Sequence, residues 1–133
     1  MDQERLTKEQ IDLGAEFLRE FHKKVPVCVA FWLRKLDSPR WRFYVVSRKV
    51  TTKNFAAIYG EVIRVLRPMP VDPDFEQSCI TVIGAKDARA KAALEARARH
   101  PDARWIRMRD TEFGGERIAE VYIYHSSVMA LVS

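Results

Sequence analysis

Between Val25 and Lys35 the chain carries apolar side chains on both sides of an alternating pattern. Val27, Val29, Phe31 and Leu33 form one row; Cys28, Ala30 and Trp32 form the other, which ends in Arg34. A strand of that kind must be covered on both faces, so it belongs at the centre of a sheet. Asp37, Ser38 and Pro39 then favour a turn, because Asp and Ser bond locally to backbone and Pro presets its φ. Arg40 to Lys49 reads as the return strand. It sets Trp41, Phe43 and Val45 on one face and Arg42, Tyr44, Val46 and Arg48 on the other.

The rest of the chain supplies the covering layers. Thr7 followed three residues later by Gln10 is a capping box, opening a helix to about Lys23. Its apolar stripe is Ile11, Gly14, Ala15, Leu18 and Phe21, broadened by Phe17, and Pro26 forbids continuation. Thr52 is placed to cap a second helix over Lys53–Arg67, with Phe55, Ile58, Tyr59, Val62, Ile63 and Leu66 facing inward. Pro68, Pro70 and Pro73 lead into an acidic loop, and Cys79 to Ile83 reads as a short strand ending at Gly84. Asp87 to His100 has strong helix propensity and stops at Pro101. Arg104–Arg109 and Arg117–His125 read as two strands joined through Gly114-Gly115. The order α-β-β-α-β-α-β-β predicts an α+β fold: a single mixed sheet of about five strands with three helices. With 133 residues, one domain over 1–133 is expected.

Charge is distributed in blocks. Residues 1–20 hold six acids and three bases, whereas Arg34–Lys53 holds seven bases and one acid. Lys86–Arg109 holds eight bases and three acids, and the remainder is acidic again. The formal net charge of +5 is compatible with a polyanionic partner only if the fold gathers the basic blocks on one surface. Cys28 and Cys79 lie in apolar runs without a C-x-x-C pair, which predicts buried free thiols in a reducing compartment. No run of about 18 apolar residues occurs, and Met1–Gln10 lacks a signal peptide's basic start and apolar stretch. A cytoplasmic location without a membrane partner is expected.

Ala30-Phe31-Trp32-Leu33, Trp41 opening the return strand, Ser47 closing it, Tyr59 on the next helix and a final Tyr122-Ile123-Tyr124 resemble a group of short uncharacterised bacterial α+β proteins. The resemblance covers most of the chain and implies no activity.

No catalytic constellation emerges. His22, His100 and His125 sit at the ends of predicted elements without an H-x-x-x-H or H-x-H partner, and the first two suit helix C-termini. His125 adjoins Ser126 and Ser127, but no G-x-S-x-G elbow exists. Zinc spacing is absent, so neither metal nor cofactor is expected. Asp72, Asp74 and Glu76 alternate within a proline-rich loop and read as solvated carboxylates. Gly84, Ala85 and Lys86, between a strand and a helix, form a candidate anion site, with Asp87 as the competing helix cap.

The strongest feature is a basic aromatic set. If helices cover the row of Val27, Val29, Phe31 and Leu33, then Trp32, Arg34, Arg42, Tyr44, Arg48, Trp105, Arg107, Tyr122 and Tyr124 project from the opposite face. Soluble monomers rarely leave such a surface bare. Its cover is the C-terminal segment Val128–Val132, a second copy of the chain, or another ligand. The leading expectation is a small non-catalytic binding domain that self-associates through the aromatic face or a sheet edge. The alternatives are nucleic-acid binding through the basic hairpin 32–53, and a small enzyme acting on an anionic substrate near Gly84.

Overall fold

The computed structural model describes residues 5–130. Helix α1 (Lys8–His22) begins at the capping box: the Thr7 hydroxyl accepts from the Gln10 amide, and the Gln10 side chain accepts from the Thr7 amide. Strands β1 (Val29–Lys35) and β2 (Trp41–Val46) form the hairpin, followed by α2 (Phe55–Leu66), β3 (Ile80–Ile83) and α3 (Ala88–Arg99). Strands β4 (Trp105–Phe113) and β5 (Glu116–Tyr124) form a second hairpin, and a one-turn helix α4 (Ser127–Ala130) follows. The fold is α+β, with one mixed sheet in the order β3-β2-β1-β5-β4. The fourth helix, absent from the sequence expectation, is too short to carry a periodic signal.

The strand that is apolar on both rows is central, as its pattern requires. All pairs are antiparallel except β2–β3, where α2 provides the crossover that a parallel pair needs. One face packs under α1 and α2: Phe17, Leu18, Phe21, Ile58, Val62 and Val65 meet Trp32, Trp41, Phe43, Val45, Tyr122 and Tyr124. Met129 of α4 is buried in the same layer, whereas Leu131 and Val132 lie outside the described residues. The other face packs under α3, whose Ala90, Ala93 and Ala96 allow close approach to Phe31, Tyr44, Ile106 and Ile123.

Helix α1 comes closest to the sheet at Gly14. Tyr124 donates its hydroxyl proton to the Ile11 carbonyl (2.7 Å) and accepts from the Trp32 indole N–H (2.9 Å). A Cβ on Gly14 would collide with that hydroxyl.

Two expectations about α2 are corrected. Thr52 does not cap it; Asn54 occupies the N-cap position, but its side chain closes the preceding loop, accepting from Thr51 N–H and donating to the Lys49 carbonyl. Phe55 and Ile63 are exposed, because the helix buries only the Ile58, Val62 and Val65 stripe completely. Strand β4 also runs beyond the expected Arg109 to Phe113, through Asp110 at φ 47°. Ile106 and Met108 face α3 before that point, and Phe113 faces it after, so the face parity switches there. Asp tolerates the left-handed region better than most residues. Arg117 holds the kink, donating to the Asp110 carboxylate and carbonyl.

These contacts set up a paired test. Gly14→Ala is expected to destabilise the protein by about 1–3 kcal/mol in urea unfolding, despite better helix propensity. Gly60→Ala, where an added methyl meets nothing, is expected to stabilise it by about 0.5–1 kcal/mol. Equal responses at the two sites would remove the close approach of α1. Burial also raises the Tyr124 phenol well above its ordinary pKa, against the opposing effect of the Trp32 bond. The native state then keeps a proton that the unfolded chain releases near pH 10. Stability from this group is therefore complete below about pH 10 and lost as pH rises through the native value. Denaturation midpoints measured from pH 8 to 11 are expected to fall less steeply in Tyr124→Phe than in wild type.

Candidate functional site

The register of the first hairpin divides the expected aromatic set between the two faces. Arg34 lies opposite Trp41, Trp32 opposite Phe43, and Phe31 opposite Tyr44. Six residues separate Arg34 from Trp41, so directly paired residues have opposite parity. Trp32 and Tyr44 cannot share a face, contrary to the expectation from counting along each strand alone.

Both faces are covered within the chain. Trp32 is fully buried, and Tyr44, Tyr122 and Tyr124 are buried as well. Tyr44 stacks on Phe31 under α3, accepts a hydrogen bond from Arg89 (2.8 Å) and lies beneath that guanidinium. Arg34 is half-buried, with its guanidinium 6.0 Å from the Trp41 ring centroid and one N–H on the Ser38 carbonyl. Arg42 is exposed but bridges to β3, donating to Thr81 Oγ1 and the Ser78 carbonyl. Arg48 is exposed beyond the end of β2. The basic hairpin 32–53 therefore does not present one continuous aromatic surface.

One part of the set remains open. Trp105 and Arg107, together with Arg109, alternate along β4, an outer strand of the sheet. They pair with Tyr124, Tyr122 and Glu120 respectively. Trp105 is 53% exposed, and both arginines are exposed. Arg107 donates to Glu120 at 2.7 Å and lies over the Tyr122 ring, 5.7 Å from its centroid; Arg109 reaches the same carboxylate at 3.4 Å. Glu120 is itself buried, so it holds Arg107 from beneath. Asp12 of α1 acts electrostatically on Tyr122 and borders this ledge. Sequence reasoning named Trp105 and Arg107 but missed Arg109 and Glu120. The signal for Glu120 was an acid within the apolar run of β5, two residues from Tyr122.

The loop at Gly84, Ala85 and Lys86 takes the competing form. Asp87 is the N-cap of α3, accepting from the Arg89 amide at 2.8 Å, and Arg89 returns to the same carboxylate with its guanidinium. Principally through that side-chain hydrogen bond, Arg89 lowers the Asp87 pKa. The helix N-terminus thus already carries the chain's own carboxylate, leaving exposed Lys86 beside a satisfied end.

The remaining chemistry is structural. His22 Nδ1 accepts from the Val27 amide and fixes the turn after α1. Asp72 accepts from the Asp74 amide in the acidic loop. Among the described residues, no group of three or more His, Cys, Asp and Glu side chains is arranged to hold a metal ion. Cys28 and Cys79 are free but only half-buried, which corrects the expectation of fully buried thiols. Among the same residues no helix is long and apolar enough to cross a membrane. No family model matches the chain, and no curated protein or solved structure matches it either.

The ledge depends on its buried anchor. Glu120→Gln is expected to lower stability by about 1–2 kcal/mol, through loss of charge-assisted hydrogen bonding to Arg107. The check is chemical denaturation; an unchanged midpoint would show that Arg107 is held by Tyr122 alone.

Proposed function

We propose that this chain is a non-catalytic binding domain whose contact surface is the Trp105–Arg107–Arg109 ledge on β4, and that its partner is single-stranded nucleic acid. The observation that carries this reading is an exposed indole followed at two-residue intervals by two arginines on one side of an open edge strand. Bases stack on an exposed ring irrespective of sequence, and guanidinium groups pair with the phosphates between them. The location differs from the hairpin expected from sequence. It falls in the second basic block, where Arg104 adjoins Trp105.

Self-association through the sheet edge is the second reading, favoured by the open main-chain groups of β4. A two-fold antiparallel pairing of β4 with itself centred on Met108 would bring Arg107 opposite Arg109 of the second copy. Like charges directly opposite each other disfavour that arrangement. A bacterial, cytoplasmic origin fits the resemblance and the free thiols and belongs to the same proposal.

Trp32 and Trp41 are buried, so Trp105 is the indole open to quenching. An oligothymidylate is expected to quench its fluorescence at low salt, with a log–log salt slope of about −1 to −2 for two phosphates contacted. Trp105→Ala should weaken binding by about 1–3 kcal/mol, and Arg109→Ala should flatten the slope by roughly 0.7. Absence of binding at low salt would remove the nucleic-acid reading. Sedimentation equilibrium decides the second one: a dimer dispersed by Arg109→Pro would establish edge pairing.

A further inference from the structure

We propose that a second site, the cleft between α3, the start of β1 and α4, binds a small organic monoanion. Its acidic group would meet Arg97, and its apolar body would lie against Val29, Leu94 and Met129. The cleft has a volume of about 290 Å³, and among the described residues no carboxylate lines it. That size lies at the small end of ligand pockets and fits a compact molecule.

Among the described residues Arg97 is the only charged side chain on its wall. The neighbouring arginines of α3 have acids: Arg89 pairs with Asp87, and Arg99 with Glu95. Among the described residues Arg97 has no such ion pair. Its Nη2 donates to the Pro101 carbonyl at 3.3 Å, while its Nη1 is buried with no acceptor among the described residues. A guanidinium without an acid partner gains charge-assisted hydrogen bonds from an incoming oxyanion.

The surroundings favour a single negative charge. His125 Nδ1 accepts from the Ser127 amide, and its Nε2 lies 3.3 Å from the same Pro101 carbonyl. The Cys28 thiol donates to the Val46 carbonyl, and Ser126 lies exposed at the rim. One cation and largely apolar walls suit an aliphatic or aromatic monocarboxylate. They do not suit inorganic phosphate, whose second charge would enter unpaired.

Amide-resolved NMR titration of the full chain with hexanoate, benzoate and inorganic phosphate tests this. Both carboxylates are expected to give saturable shifts at Cys28, Val29 and Ser126, with phosphate much weaker. Arg97→Met should weaken carboxylate binding roughly tenfold or more, and Arg97→Lys less, as expected for loss of one charge-assisted hydrogen bond. Ala98→Phe, at an exposed position on the cleft wall, should block binding while keeping the fold, and it serves if Arg97→Met does not fold. The proposal is overturned by no saturable shift at these amides, by unchanged affinity in Arg97→Met or Ala98→Phe, or by phosphate binding as tightly as the carboxylates.

Discussion

The layer above the sheet depends on how closely α1 can approach it. Gly14 lets the helix descend until the Tyr124 hydroxyl spans from the Trp32 indole to the Ile11 carbonyl, satisfying two polar side chains that would otherwise be buried alone. Around that point Trp32, Phe43 and Phe75 lie within ring-contact distance of one another, and Phe17 reaches both phenylalanines. A bulkier residue at Gly14 would separate the helix from this cluster and leave the polar chain without its acceptor. Density below the helix and hydrogen-bond closure are therefore one constraint, set by the absence of a single methyl group.

Much of the architecture was legible because local patterns agreed with it. The Thr7–Gln10 box starts α1, Asp87 caps α3, and Gly114-Gly115, both at positive φ, turn the second hairpin as expected. The doubly apolar run 29–33 is central and covered on both sides. Misreadings arose where a distant partner decides the outcome. The faces of β1 and β2 were counted separately, but the hairpin loop fixes their relative parity, and it separates Trp32 from Tyr44. The Asn54 side chain was free to cap α2 and instead closes its loop, a choice of its Oδ1 between two nearby sets of backbone N–H donors.

The candidate site shows the same division. Trp105 and Arg107 could be read from their alternation, because edge-strand exposure leaves local pattern in charge. Glu120 could not be assigned from alternation, since its meaning comes from Arg107 on the adjacent strand. Arg97 is less visible still: among several arginines of one helix, only the fold reveals which has no acid beside it among the described residues.

The left-handed backbone at Asp110 has a bearing on the protein's life at high concentration. An outer strand of nine residues is a template on which further chains can be laid, and a flat one invites stacking into fibres. Here the regular stretch ends after Arg109, so a foreign strand in register with Trp105 loses its track within about five residues, or roughly 17 Å. The charged side chains along that stretch repel copies of themselves. The kink at Asp110 thus shortens the regular track that an added strand could follow along this edge.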